Sequence, residues 1–275
     1  YAGNTRKMSA KYSLKNLWKL QLSYRSLIIG FLFSKKNKKS EIIYFKNGFN
    51  QLIESIKKKL NGNIDCGNKI VSIEKKENYF LVRTDKKEKY ICNKIYFTVP
   101  AYSLAIIKFI GLKLPNFNNV RYNPIDVIHL GFKRKNANDK ISGFGLLTRK
   151  VDNKNFLGVL FNSEIFPNVC SKKNHLITVL LGGDDQKDIV NFDEKEILEN
   201  VKNEMKSIFN IKSFDFQKHY RWKKGIPSYS LGHEKLIKEI KDFNKKEPNL
   251  FFLGNYIDGV SVADCILKSY NCINN

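Results

Sequence analysis

The sequence predicts a mixed α and β fold in which helices and β-sheets occupy separate stretches of one 275-residue chain. Apolar residues at helical spacing predict an amphipathic helix between Phe49 and Leu60, closed by the pair Asn61-Gly62. Short β-prone runs between 69 and 100 are typical of a β-meander, and four further runs between 127 and 183 favour one sheet. With 42% hydrophobic residues the chain can fill a core, so we expect one large or two modest domains.

The other segments follow the same two periodicities. Residues 1–33 indicate short helices, and the run EIIYF at 41–45 indicates an extended segment. Asp193 is expected to cap a helix that ends near 209. The remaining expectations are a helix over 102–110, a loop over 219–233 around Pro227, a helix over 233–243, a buried strand in NLFFLGNY at 249–256 and a last helix from 261.

The chain carries a formal net charge of +23, which would attract nucleic acid or an acidic membrane. Only seven of its 49 basic residues are Arg, and the lysines are spread along the whole chain. Because Lys, Asn and Ile share AT-rich codons, this pattern favours mutational bias over a selected polyanion site. We therefore predict no nucleic-acid partner and leave open a peripheral contact with acidic lipid. The apolar run at 27–33 is far shorter than the roughly 18 residues of a membrane span.

Cysteine and histidine spacing indicates no metal site. The five cysteines are odd in number and none form a zinc clip, which favours a reducing compartment. The four histidines form no pair with metal-ligand spacing, so each is interpreted as structural. Since no Ser-His-Asp set or spaced carboxylate pair stands out, we assign no catalytic acid or base.

The sequence NLFFLGNYIDGVSVADCILKSY at 249–270 combines a buried strand, a glycine turn and a helix start. Gly254 and Gly259 would permit close approach of a ligand to the backbone. Ser261 is expected to cap the following helix, with Asp264 three residues later. Because the first N–H groups of a helix lack partners, this arrangement suits a phosphate or a polarised carbonyl. By itself the geometry is more often a packing unit than a cofactor site.

The residues GNYIDGVSVADCI at 254–266 closely resemble the terminal motif of protoporphyrinogen oxidases within the flavin-containing amine oxidase superfamily. The resemblance continues in ordered segments along the chain, namely RWKKGIPSYSLGH at 221–233, FLGVLFNSEIFPN at 156–168, ITVLLGG at 177–183, and the opening YAGN with KMSAKYSLKNLWKL. It implies a partial FAD-binding domain of the amine-oxidase type and a mixed-sheet substrate domain with helices.

That resemblance also implies site residues. Val260, Ser261 and Val262 would contact FAD mainly through backbone, with helix-end N–H groups stabilising negative charge on the flavin. Trp222 matches a tryptophan near the flavin. Ile70 matches a valine whose backbone meets the adenine end, although the strand register leaves Val71 as an alternative.

A flat apolar pocket for a tetrapyrrole would be lined by Phe144, Leu147 and Leu180, and methionine is also common at the position of Leu180. The reaction implied is stepwise removal of hydrogen from a porphyrinogen, with hydride passing to the flavin and dioxygen reoxidising it. In such a reaction the cofactor carries out the redox chemistry, and the protein binds and orients the reactants.

The resemblance divides the chain into four segments: the end of a helical membrane-facing or substrate region (1–36), a FAD-domain segment (37–100), a substrate-binding domain (101–218) and a C-terminal FAD-domain segment (219–275). A G-x-G-x-x-G turn, which this class needs for the pyrophosphate, is not found in the sequence. The first residue, Tyr1, does not look like a natural start. We therefore expect that this polypeptide alone neither holds FAD tightly nor oxidises porphyrinogen.

Two other functions compete with this interpretation. A coproporphyrinogen III oxidase of the same family would act on a substrate with more carboxylates, and a non-catalytic cationic module would bind membrane or nucleic acid. The preferred interpretation predicts a cytoplasmic protein and leaves open both a peripheral position on the inner membrane face and a homodimer.

Overall fold

The computed structural model describes residues 2–34, 43–137, 141–152, 154–166 and 168–274. The described residues form helices α1 (Ala10–Ser13), α2 (Lys15–Tyr24), α3 (Leu27–Phe33), α4 (Asn50–Lys59), α5 (Ala101–Leu104), α6 (Asn162–Ile165), α7 (Glu194–Phe209), α8 (His233–Lys246) and α9 (Val262–Asn274). They form strands β1 (Ile70–Lys75), β2 (Phe80–Thr84), β3 (Lys89–Cys92), β4 (Ile95–Phe97), β5 (Lys108–Ile110), β6 (Arg121–Lys133), β7 (Gly145–Leu147), β8 (Gly158–Leu160), β9 (Asn174–Gly182), β10 (Phe216–Ser228) and β11 (Leu250–Phe252).

The chain divides into two compact units. The first unit comprises Tyr1–Asn4, Glu41–Ser55 and Tyr122–Ile226, and the second comprises Thr5–Ser40, Ile56–Arg121 and Pro227–Asn275. Both units mix helices with strands, which agrees with the mixed α and β fold predicted from composition and periodicity. The four functional segments inferred from the resemblance remain predictions.

The first unit is built on a five-stranded sheet with the strand order β10-β6-β9-β8-β7. Strands β6 and β9 pair antiparallel over nine residue pairs, from Ile125 opposite Gly182 to Lys133 opposite Asn174. Four of these strands coincide with the four β-prone runs predicted between 127 and 183. One face of the sheet packs against α7 through Ile197, Val201, Met205 and Phe209, which the 3.6-residue period places on one side of that helix.

Asp193 caps α7 as predicted, since its side chain accepts a hydrogen bond from the backbone N–H of Lys195 at 2.8 Å. At the other end Asn210 adopts a left-handed conformation with φ of 50°, which stops the helix. The helix therefore has defined ends, and these fix its apolar stripe against the sheet.

The second unit contains a four-stranded sheet with the order β3-β2-β1-β5. Strands β1 to β3 form the predicted meander. The fourth predicted strand, β4, leaves the meander and pairs in parallel with β11. Aromatic rings pack around that pair: Phe97 stacks on Phe252 at 5.0 Å between ring centroids, and Phe243 of α8 lies 5.4 Å from Phe252.

Two predicted elements are wrong. The helix expected over 102–110 is limited to α5, and the end of that stretch forms β5 because it pairs in parallel with β1. The loop expected over 219–233 is largely strand β10. Pro227 is compatible with β10 because the strand lies at the edge of its sheet, where a missing N–H costs no ladder hydrogen bond.

Among the described residues, none of the helices has the length and apolar character needed to cross a membrane. Helix α3 is the most apolar of the short N-terminal helices, and Ile28, Phe31, Leu32 and Phe33 are all exposed on it.

Candidate functional site

The five-stranded sheet of the first unit has a second face, opposite the one that packs on α7. Pairing across four strands aligns Leu147, Gly158, Leu180 and Val127 in one row. Directly paired residues point to the same side of a sheet, so the side chains of this row share one face. The intervening row of Leu146, Val159, Val179 and Ile128 points into the core. We call the side that carries Leu147 and Leu180 the open face.

Two of the three predicted substrate residues, Leu147 and Leu180, therefore lie on this face. They are separated by Gly158, so the distance between them is two strand spacings, or about 10 Å. Leu147 is 69% exposed and Leu180 is half-buried. Gly158 itself is buried, and its missing side chain leaves room for the Leu147 side chain to lie against it.

Backbone packing requires glycine at this place. A Cβ on Gly158 would lie 2.7 Å from the carbonyl oxygen of Leu146 and 2.9 Å from Cδ2 of Leu147. The close approach of β7 to β8 thus depends on Gly158, and the same approach positions Leu147.

Trp222 lies on the open face as well. His219 and Arg221 of β10 both reach the buried carboxylate of Asp126, which points to the α7 side. Since side chains alternate along a strand, Tyr220 and Trp222 point to the opposite side. The Tyr220 ring accordingly lies 6.0 Å from the ring of His129, and Trp222 is 59% exposed. The structure thus brings the predicted flavin tryptophan onto the face that carries Leu147 and Leu180.

Phe144, the third predicted substrate residue, immediately precedes β7. Its carbonyl oxygen accepts a hydrogen bond from the backbone N–H of Phe161 at 3.1 Å, and its side chain is exposed. An exposed ring at the end of this strand is available for contact with a ligand.

The second predicted site begins at the turn between β11 and α9. Three side chains of the second unit hold residues 255–258: the Tyr229 hydroxyl donates to the carbonyl of Asn255 at 2.5 Å, Nε2 of His233 donates to the carbonyl of Ile257 at 2.9 Å, and Lys15 pairs with Asp258. Burial raises the pKa of Tyr229 and lowers the pKa of His233, so both side chains hold the turn in their neutral forms at neutral pH.

Ser261 caps α9, as predicted. Its hydroxyl accepts from the backbone N–H of Asp264 at 3.1 Å and donates to the Asp264 carboxylate at 2.6 Å, and that carboxylate also accepts from the backbone N–H of Ser261. This is a capping box, in which two helix-end donors are satisfied reciprocally.

Two further donors at this helix end have no acceptor among the described residues, namely the backbone N–H groups of Val262 and Ala263. Val260 and Val262 beside them are 50% and 53% exposed. Unpaired N–H groups at a helix N-terminus suit an electron-rich edge, and the flanking valines suit an aromatic ring system. The residues present therefore fit a flavin, with Val260, Ser261 and Val262 as its predicted contacts.

The two glycines of this motif have a packing role within the chain, beside the predicted approach of a ligand. A Cβ on Gly254 would lie 2.9 Å from the Tyr256 ring, and one on Gly259 would lie 2.5 Å from the Asp264 carboxyl carbon. The space at Gly259 is therefore used by the capping carboxylate of the same helix. Gly259 has a φ of 86°, which also favours glycine.

Ile70 begins β1 and pairs with Thr84, but the next pair joins Ser72 to Arg83, so the ladder skips Val71. The skipped residue lies in a β-bulge, and its side chain is exposed. Both Ile70 and Val71 stay candidates for contact with the adenine end of a dinucleotide.

Sequence patterns do not single out two polar residues of the open face, His129 and Thr178. Nδ1 of His129 lies 2.8 Å from Oγ1 of Thr178, directly across β6 and β9. The period-two alternation of VIHLGFKR would place His129 on the same face as Val127, but without the pairing register it cannot identify Thr178 as the partner.

Comparison with known proteins finds relatives in the family that the sequence motifs resemble. The chain is 31% identical to a protoporphyrinogen oxidase of Dictyostelium discoideum over 280 residues, which covers 88% of this chain and 53% of the relative. It is 20% identical to a coproporphyrinogen III oxidase of Bacillus subtilis (strain 168), with 97% of this chain and 59% of the relative covered.

The fold is similar to the crystal structure of a protein from Exiguobacterium sp. 255-15, with a TM-score of 0.82 at 16% identity. That likeness covers 100% of this chain and 60% of the other. The chain thus spans between about half and three fifths of the length of these proteins. The sequence profile described as flavin containing amine oxidoreductase matches residues 1–272. The chain therefore belongs to this family of flavin-containing amine oxidoreductases, which confirms the resemblance and the fold class predicted from the sequence.

Proposed function

We propose that the protein catalyses the FAD-dependent oxidation of protoporphyrinogen IX to protoporphyrin IX, with dioxygen as electron acceptor. The observation that supports this proposal most directly is the open face, where the apolar side chains of Leu147 and Leu180 lie in one row on either side of the strand position of Gly158. An apolar surface suits a macrocycle held by shape with few polar contacts. The relative that is 31% identical carries the name protoporphyrinogen oxidase.

In this proposal the residues of the chain bind and orient the macrocycle and the FAD. Leu147 and Leu180 would hold the macrocycle and exclude water from it, and Trp222 would lie beside the flavin. The unpaired N–H groups of Val262 and Ala263 would hold the electron-rich edge of the FAD ring and stabilise negative charge there. FAD, when bound, accepts hydride from the substrate and passes the electrons on.

The test uses the enzyme produced from its complete natural coding sequence and purified with FAD. Protoporphyrinogen IX is supplied, and protoporphyrin fluorescence and hydrogen peroxide are recorded. Leu147→Ser and Leu180→Ser should each raise KM about tenfold, because each removes roughly one buried leucine contact worth 1.5 kcal/mol or more. The exposed Leu22→Ser, on α2, should leave KM unchanged. Absence of flavin-dependent protoporphyrin formation would reject the proposal.

The same assay decides between the two porphyrinogens. The Bacillus subtilis relative is named for coproporphyrinogen III, which carries more carboxylates. Faster turnover of coproporphyrinogen III than of protoporphyrinogen IX would favour that alternative. Retention on DNA at physiological ionic strength, with no turnover of either substrate, would favour a cationic binding module.

We further propose that α3 contacts an acidic membrane surface. It exposes Ile28, Phe31, Leu32 and Phe33, and lysines at 35, 36, 38 and 39 follow it in the sequence, outside the described residues. Seven helical residues are about 10 Å long, which suits insertion into the headgroup region. Phe31→Ser combined with Leu32→Ser should reduce sedimentation with phosphatidylglycerol vesicles, whereas Val151→Ser, at an even more exposed apolar site of the first unit, should not.

This contact would place the protein in the cytoplasm, on the inner membrane face, which imaging of a tagged protein would test. A homodimer stays a prediction that light scattering of the purified enzyme would test.

A further inference from the structure

The proton positions around His129 follow from its hydrogen-bond partners. Nδ1 of His129 lies 2.8 Å from Oγ1 of Thr178, and the Thr178 hydroxyl donates to Oδ1 of Asn162 at 2.6 Å. A hydroxyl group has one proton to donate. Because Thr178 donates that proton to Asn162, its oxygen must accept from His129. The neutral imidazole of His129 therefore carries its hydrogen on Nδ1, and Nε2 holds a lone pair.

That lone pair is available on the open face. Nε2 of His129 makes no hydrogen bond to any residue that the structure describes, and it is not enclosed. His129 pairs directly with Thr178, so Leu180 is its diagonal neighbour on β9, at roughly 7–8 Å between Cα atoms. A ligand lying across Leu180 would thus have the imidazole at its edge.

The surroundings keep the imidazole neutral. Burial of the ring lowers the pKa of His129. On β10 the neighbouring groups are the Tyr220 ring, edge-on at 6.0 Å, and Lys218, whose Nζ lies 5.6 Å from that ring. On β9 and α6 they are the uncharged Thr178 and Asn162. A neutral base with a fixed tautomer is ready to take a proton, and the side chain of Asn162 keeps it oriented through Thr178.

We propose that Nε2 of His129 accepts the proton that the substrate loses when it is oxidised on the open face. This inference rests on the proposed function. In each oxidation step a bridge C–H bond breaks and its electron pair leaves with the hydrogen as hydride, which the flavin takes. In two of the three steps a pyrrole N–H bond also breaks, and in the third step a second bridge C–H bond breaks. In each case the electron pair of that bond stays with the substrate to form the new double bond, and the proton binds Nε2. The imidazolium then releases that proton to solvent, and Thr178 and Asn162 act as positioning residues.

The first experiment needs no substrate. Two-bond nitrogen–hydrogen NMR correlations of the ¹⁵N-labelled protein should show His129 as the Nδ1–H tautomer. Thr178→Val removes the acceptor and should shift His129 towards the Nε2–H form, while His175 should keep its own pattern. A wild-type His129 found mainly as Nε2–H would overturn the proposal whatever the enzyme does.

The second experiment measures turnover by the complete FAD-loaded enzyme. His129→Phe should lower kcat about 100-fold with little change in KM, and it should abolish the acidic limb of the kcat–pH profile. Thr178→Val should lower kcat less and displace that limb. The matched control is His175→Asn, since that ring packs against Phe132 on the other side of the same sheet, and it should retain wild-type kcat.

Imidazole added to His129→Gly should restore turnover in proportion to its concentration, whereas His175→Gly should not respond. A His129→Phe enzyme with kcat within twofold of wild type would overturn the role of His129 while leaving the proposed function intact. A wild-type enzyme that forms no porphyrin at all would reject both.

Discussion

Asp126 and Arg221 form a buried bidentate ion pair, with Nη2 of Arg221 2.8 Å from Oδ2 of Asp126 and Nε 3.1 Å from Oδ1. His219 donates to the same carboxylate at 2.9 Å, and Nη1 of Arg221 donates to the carbonyl of Phe192. The pair joins β6 to β10 on the side of the sheet that faces α7. Because it fixes which side chains of β10 point inward, it also fixes Tyr220 and Trp222 on the open face.

Loss of the guanidinium should destabilise the protein strongly. The Asp126 side chain is fully buried, so Arg221→Leu leaves a buried carboxylate without its cation, with the hydrogen bond from His219 remaining, and should lower the free energy of unfolding by about 3 kcal/mol. The pair Arg149 and Asp152 has the same chemistry at the surface, and Arg149→Leu should cause little change. Urea unfolding followed by tryptophan fluorescence measures both. Equal losses for the two variants would contradict this expectation.

Acid should destabilise the fold through its buried histidines. Burial lowers the pKa of His129, His175 and His233, so each group is neutral when folded, while the unfolded chain takes up protons near its ordinary pKa of about 6.5. The three neutral histidines contribute their full stability at pH values above the unfolded pKa of about 6.5. This contribution is lost as the pH falls from the unfolded pKa towards the lower pKa of the folded state.

His233→Gln isolates one of these groups, because glutamine can donate to the carbonyl of Ile257 without titrating. The free energy of unfolding of the wild type should fall between about pH 7.5 and about pH 5.5, and the fall should be smaller in His233→Gln. Urea titrations at both pH values measure the difference. A wild-type stability that is constant or rises over this range would contradict the prediction.

Strand β10 shows why part of the fold was not predictable from the sequence. A half-buried strand normally alternates apolar and polar residues, but β10 buries the polar side chains of His219 and Arg221 because both pair with Asp126. Asp126 lies more than 90 residues away in the sequence, so no local pattern indicates this pairing. Strand β5 was also missed, since three residues of an apolar run are strand only through parallel pairing with β1. By contrast, α7 carries its cap, its period and its stop within one segment, so local chemistry predicted it.

The candidate site also contains local arrangements that the sequence predicts and long-range contacts that it does not. Ser261 and Asp264 form their capping box within four residues, and the sequence predicted that arrangement. The link between His129, Thr178 and Asn162 depends on strand register and on the chain reversal that brings α6 to β9, and neither is visible in a local pattern.

Gly158→Ala should disturb both the sheet and the open face. The added Cβ would lie 2.7 Å from the carbonyl oxygen of Leu146, so β7 and β8 must move apart, at a cost of about 1–3 kcal/mol. The control is Gly225→Ala on β10, where the nearest atoms are 3.3 Å away and the loss should be smaller. Thermal unfolding ranks the two variants, and tryptophan fluorescence quenching by protoporphyrin IX reports binding. Unchanged stability and binding in Gly158→Ala would show that the strands tolerate a side chain there.

Val262→Pro tests whether the start of α9 binds the flavin through its backbone. Proline is tolerated at the first position of a helix, where the N–H has no helical partner, so the fold should be retained. If that N–H donates to FAD, its loss should weaken FAD binding about tenfold or more, as for a hydrogen bond to a partly charged acceptor. Val262→Ala keeps the N–H and removes most of the side chain, and it should bind FAD with nearly wild-type affinity. Flavin fluorescence titration of the apoenzyme made from the complete coding sequence measures the dissociation constants. If alanine weakens binding as much as proline does, the contact is made by the side chain and the role assigned to the helix end is wrong.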